Sequence, residues 1–200
     1  NLLKNYRNIK QATQNRYRSL LNHIFNTAIK DKVVNYNPAK HTKKFKEVNR
    51  DRALNNSEIK ALLEACKQSK NEELYYIVLV ALYTGMRYSN IIHMKRSNIK
   101  NNVYQLDGSE TKSGKSQLIY LHQDLMNELN KYMHKNNDTY IFRYNYIKRA
   151  FRTALKKAGI ENFRFHDLRR TFANTLLYNN VNIVTISNML GHSSNMMTQK

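Results

Sequence analysis

The sequence predicts a mainly α-helical chain carrying one small antiparallel β-hairpin. Three observations predict it. Breakers are scarce, with 1 Pro and 5 Gly in 200 residues, so few points interrupt helices. Apolar residues recur at helical spacing along most of the chain. Between Val103 and Leu121 the pattern changes: two short runs rich in β-branched and aromatic residues flank a basic, Gly-containing stretch, the mark of a hairpin.

Taken in order, the first helix follows Thr13 and carries Leu20, Leu21, Ile24, Phe25 and Ala28 on one face. Asn37-Pro38 ends it, because proline disfavours helix in the residue before it. Ala39 to Arg52 is polar and lysine-rich, and reads as a basic linker. A second unit begins near Arg52. Ser57-Glu58 places a capping-type residue and an acid at a helix start, and Ile59, Leu62, Leu63 and Cys66 form its stripe. Leu74, Ile77, Val78, Ala81 and Leu82 give another helix, interrupted by Gly85. Val103–Leu106 and Gln117–Leu121 are the hairpin strands. Helices resume at Asp124–Lys135, Tyr146–Lys157, His166–Tyr178 and Asn182–Leu190. The domain boundary falls at 48/49, with 1–48 a partial helical unit plus linker.

Composition narrows the function. Lys and Arg number 34 against 14 Asp and Glu, a formal charge of +20. Such an excess calls for a polyanionic partner: nucleic acid first, an anionic membrane surface second. The longest apolar run, Ile77 to Leu82, is far too short to span a bilayer. The N-terminus lacks a signal-peptide pattern, so a cytoplasmic protein is expected. The single cysteine, Cys66, reads as a small buried hydrophobe, and a lone cysteine builds neither a disulfide framework nor a clustered-Cys zinc site.

Four segments can carry chemistry: Thr84-Gly-Met-Arg87, Thr111-Lys112-Ser-Gly-Lys115, His166-Asp-Leu-Arg169 and Leu190-Gly-His192. Arginine forks grip phosphate oxygens in bidentate fashion. Lysine or histidine can protonate a leaving alkoxide. Together these donors suit a phosphodiester whose non-bridging oxygens gain charge during displacement. No carboxylate cluster accompanies them, which argues against a two-metal mechanism. It also counts against a metallonuclease built on His122, His166 and His192. Singly, each segment has a bland reading: a solvated helix face for His166 and Arg169, an ion-pair partner for Arg87, a turn lysine for Lys112, a helix-end cap for His192. Their order and separation carry the functional one.

In that order the motifs resemble the catalytic domain of the tyrosine recombinases, the phage-integrase family. Thr84-Gly85-Met86-Arg87 matches its first arginine motif. His166-Asp167-Leu168-Arg169-Arg170-Thr171-Phe172-Ala173 and Leu190-Gly191-His192-Ser193-Ser194, with Thr198, match its later ones. Asn15-Arg16-Tyr17 through Asn37-Pro38-Ala39 resembles the end of the family's core-binding domain. Arg52-Ala-Leu54 with Glu58-Ile59 and Leu62-Leu63 resembles the entry to its catalytic domain. The resemblance implies that Arg87, Arg169 and His166 hold the scissile phosphate. It makes Lys112 the general acid, with Lys115 as the alternative, and has His192 support the phosphate contacts. It implies strand exchange through a 3′-phosphotyrosine link without metal or nucleotide, by a tetramer on double-stranded DNA, in integration or excision of a mobile element.

Two departures stand out. The family's acidic residue three after the first arginine is Asn90 here. Its nucleophilic tyrosine would be the residue after Lys200, and none of the 14 tyrosines occupies that place. Residues 1–200 are therefore expected to bind DNA without forming the covalent link, as a chain cut short of the tyrosine or as a silent DNA-binding regulator on the same fold. Lys40, Lys43, Lys44 and Lys46 in the linker are expected phosphate contacts, as are Lys115, Lys148, Arg149, Arg152, Arg164 and Arg170.

Overall fold

The computed structural model describes residues 9–47, 51–111, 114–133, 138–143 and 146–191. It divides into two compact units, Asn1–Asp51 and Arg52–Lys200.

In the first unit, helix α1 runs Gln11–Lys30. It ends well before Asn37-Pro38. Lys32 takes a left-handed φ of 58°, and the amides of Lys32 and Val33 close back on Ile29 and Ala28, which satisfies carbonyls the helix leaves open. The stretch after it has a fixed path beside α1. Asn15, Arg18, Asn22 and Asn26 lie three or four apart and so form one stripe. Asn37 Nδ2 donates to Asn22 and Asn26, at 3.1 and 2.8 Å. Arg18 Nε donates to the Thr42 carbonyl at 2.6 Å. Asn15 exchanges both its amide groups with the Phe45 backbone, at 2.9 and 2.8 Å. The expected linker is thus a segment hydrogen-bonded along a polar helix face. The predicted apolar stripe stays exposed at Leu20, Leu21 and Ile24.

The second unit is built around α3 (Glu73–Thr84), where Leu74, Ile77, Val78, Leu79, Val80 and Ala81 are all buried. A helix apolar on every side belongs at the centre of a core, and α3 packs against α2 (Asn56–Lys67), α5 (Gln123–Met133) and α7 (Asp167–Tyr178). Helix α6 (Lys148–Lys157) lies against α2. Cys66 is buried among these helices, as expected. Helix α2 is capped by Asn55, not Ser57. The Asn55 side chain accepts from the Glu58 amide at 2.9 Å, and Glu58 returns the bond to the Asn55 amide at 3.0 Å. That reciprocal pair fixes a helix start. Ser57 sits inside the first turn and donates to Asn55.

The hairpin strands are β2 (Val103–Leu106) and β3 (Gln117–Tyr120), antiparallel with Tyr104 opposite Ile119 and Leu106 opposite Gln117. A two-residue strand, β1 (Ile99–Lys100), extends the sheet in the order β1-β2-β3. Alternation puts Tyr104, Leu106 and Ile119 into the core and leaves Leu118 and Tyr120 outside. The last helix, α8 (Ile183–Met189), docks on α7 through a small second core of Phe172, Ile186 and Leu190. Burying side chains of this size stabilises by about 1.5–3 kcal/mol each.

Candidate active site

The first arginine is placed by the way α3 ends. Thr84 Oγ1 donates to the Val80 carbonyl at 2.6 Å and accepts from the Met86 amide at 3.2 Å. Gly85 then turns the chain with φ +62°, and a Cβ there would lie 2.5 Å from Phe172 and 2.7 Å from Leu190. Glycine is needed on both counts, for its left-handed conformation and for the close approach of the α7–α8 core. The chain leaves the turn extended at Arg87, which is half-buried and forms the N-cap of α4 (Tyr88–Ile92). Asn90, at the position where an acid was expected, is buried in α4 and accepts from Ser89 Oγ at 3.2 Å.

Arg169 is the centre of the arrangement. It lies in the first turn of α7 and is only 8% exposed, so the solvated-face reading fails for it. Its Nη1 donates to the Gly85 carbonyl at 2.7 Å, and its Nη2 donates to the Leu190 carbonyl. One guanidinium thereby ties the end of α3 to the end of α8. Among the described residues no carboxylate forms an ion pair with it. Burial first, and the charge of Arg87 second, push its pKa down to about 10. It remains a cation at neutral pH, buried against carbonyl dipoles and beside a second arginine. Such a charge is costly unless an anion completes its surroundings.

His166 precedes α7 as its N-cap and shows an exposed edge. The protein packed behind its ring desolvates it, and the charges of Arg169, Arg87 and Arg170 act in the same sense. Together they outweigh Asp167 and hold its pKa below the usual 6.5. Asp167 accepts from the Arg164 amide at 2.8 Å, an acid suitably placed at a helix N-terminus.

The structure therefore brings Arg87, His166, Arg169 and Arg170 into one electrostatic group. Lys112 and His192 lie outside the described residues. Their described neighbours are ordered by local contacts. The Thr111 hydroxyl sits within reach of the Gly108 and Lys115 carbonyls, at 3.0 and 2.9 Å, and Gly191 turns the chain after α8 with φ +60°. Lys115 is exposed ahead of β3. Lys148, Arg149 and Arg152 are exposed on α6, as is Arg164 before α7. Lys40, Lys43, Lys44 and Lys46 are exposed in the first unit. His122 pairs with Asp124 at 3.4 Å and meets the ring of Tyr83. Sequence reading missed Gln117, whose Nε2 donates to the Met189 carbonyl at 2.6 Å. A polar residue opening a strand gives no sign of a partner 72 positions away. No helix among the described residues is long and apolar enough to cross a membrane.

Known proteins resemble this chain in sequence and in fold. The integrase of Haemophilus phage HP1 is 32% identical over 198 residues, covering 96% of this chain and 56% of that protein. The solved catalytic domain of bacteriophage HP1 integrase superposes with a TM-score of 0.64 at 29% identity, covering 74% of this chain and 84% of that one. A lambda integrase dimer bound to a COC′ core site shares the fold over 94% of this chain and 74% of that one, at a TM-score of 0.79 and 24% identity. The chain spans about half the length of the curated relatives it matches. Residues 52–200 match the Phage integrase family, and the chain belongs to that family.

Proposed function

We propose that this chain is part of a site-specific recombinase that breaks and rejoins strands through a 3′-phosphotyrosine link, integrating or excising a mobile element. The observation that carries this reading is the buried Arg169, held by two main-chain carbonyls and flanked by Arg87 and His166, with no ion-pair partner among the described residues. A phosphodiester supplies an anion for it. Two arginine forks grip its non-bridging oxygens and stabilise the charge they gain at the transition state.

In this reading a tyrosine is the nucleophile. Its oxygen bonds to phosphorus, the P–O5′ bond breaks, and the 5′ oxygen leaves with a proton from Lys112 or, as the alternative, Lys115. His166 accepts the tyrosine's proton. His192 supports the phosphate contacts. The exposed Lys40, Lys43, Lys44, Lys46, Lys115, Lys148, Arg149, Arg152 and Arg164, together with Arg170, bind the duplex backbone. Four protomers act on two sites, in the cytoplasm.

The test uses the full-length gene product and a duplex from its element's end, nicked beside the cleavage point, in EDTA. An SDS-resistant adduct that disappears when the tyrosine becomes Phe supports the recombinase. DNA binding with no adduct turns the reading to a silent DNA-binding regulator on the same fold.

A further inference from the structure

The end of α8 is held by side chains from two different parts of the unit. Its last carbonyls need partners, as at any helix C-terminus. Gln117 Nε2 lies 2.6 Å from the Met189 carbonyl and 3.4 Å from that of Asn188. The Leu190 carbonyl accepts from Arg169 Nη2. The Gly191 amide folds back to Asn188 at 2.9 Å. The Gln117 amide also lies across Gly191: a Cβ on that glycine would stand 2.6 Å from Gln117 Oε1. Gln117 is the first residue of β3, opposite Leu106, so it belongs to the hairpin whose connection carries Lys115. The turn it clasps leads, one residue on, to His192.

We propose that Gln117 is a positioning residue that locks the start of β3, two residues after Lys115, to the α8–Gly191 turn, whose Leu190 carbonyl holds Arg169. Its role is to join two segments that the hairpin's own ladder and the α7–α8 core would otherwise order separately. The catalytic half of this inference rests on the recombinase reading above. Misplacing a reacting group by about 1 Å costs on the order of 100-fold in rate, so a clasp of two hydrogen bonds is enough to matter.

The experiment compares Gln117→Leu, which keeps bulk and removes the donors, with Gln117→Arg, which restores N–H donors toward the same carbonyls. Single-turnover adduct formation by the full-length protein is measured at saturating nicked DNA. Q117L is expected to slow adduct formation roughly 10–100-fold with DNA affinity and melting temperature unchanged, and Q117R to recover most of the rate. Amide exchange at Gly191 is expected to accelerate in Q117L and to return in Q117R. A wild-type rate in Q117L overturns the proposal, and so does a loss that Q117R does not rescue. If the wild-type protein forms no adduct, the recombinase reading has failed. Exchange at Gly191 then decides the clasp by itself, and unchanged exchange in Q117L refutes it.

Discussion

Arg169 Nη1 donates to the carbonyl of Gly85 across 2.7 Å, joining residues 84 positions apart. Through this bond the turn that presents Arg87 and the helix that carries Arg169 are set as one piece, and the second fork nitrogen extends the piece to Leu190. Substitution of Arg169 with lysine keeps the charge and loses the fork. A single ammonium cannot serve both carbonyls in the same geometry, and one is left unsatisfied in a buried place. The expected cost is roughly 1–3 kcal/mol of stability, read from urea unfolding. A fall in adduct formation of about 100–1,000-fold is expected with it. Wild-type cleavage in Arg169→Lys would show that the fork is not needed.

Gly85→Ala tests the turn from the other side. The alanine must adopt φ +62° and place a Cβ within 2.7 Å of both Phe172 and Leu190. Left-handed backbone costs about 1–2 kcal/mol and overpacking about 1–3 more. A clear drop in urea midpoint is expected, with loss of the α8 contacts seen as faster amide exchange in Ile183–Met189. An unchanged midpoint would mean that the α7–α8 core moves aside freely.

His166 makes stability depend on pH with a definite sign. Its pKa in the folded protein lies below 6.5, so folding disfavours its proton. Well above pH 6.5 neither state is protonated and the group contributes no pH dependence. As pH falls through 6.5 the unfolded chain takes up the proton first, and stability is lost until the lower folded pKa is passed. His166→Gln should flatten that part of the stability curve. In NMR titration His166 should titrate below 6.5 in the free protein and move upward when duplex DNA binds, because a phosphate favours the imidazolium. An upward-shifted value in the free protein would contradict the geometry described here.

The exposed basic face of α6 separates backbone binding from chemistry. Converting Arg149, Arg152 and Lys156 to alanine removes three exposed cations. If each meets a phosphate, the salt dependence of duplex affinity should fall by about 0.9 per residue in log–log slope. Folding stability should stay within about 0.5 kcal/mol. A slope identical to wild type would place the DNA elsewhere.

The helices with strong apolar periods were legible in the sequence, and so was the hairpin at Val103–Leu106 and Gln117–Tyr120. Helix α4 was not, because five residues are too few to show a period. Strand β1 has two residues and no pattern of its own. The end of α1 was misjudged because a lysine, a residue that seldom takes positive φ, makes the turn at Lys32. At the site, residue types and order pointed to Arg87, His166 and Arg169, which the fold does gather. What the sequence could not show was how they are held. The partners of Arg169 and Gln117 are carbonyl oxygens, and every residue has one of those. The asparagine stripe of α1 escaped notice for a related reason: Asn15, Asn22 and Asn26 look like surface residues until Asn37 and Phe45 are brought beside them.

The carbonyl cradle of Arg169 also bears on how such a site withstands sequence drift. Gly85 and Leu190 serve the guanidinium through atoms common to all amino acids, so these bonds depend on the course of the chain and not on side-chain identity. Gly85 itself is fixed by its turn, but Leu190 can be replaced by another apolar residue, provided its turn keeps its shape, without disturbing the arginine's orientation. Distant relatives can then share a cation held at the same angle while few of the residues around it correspond.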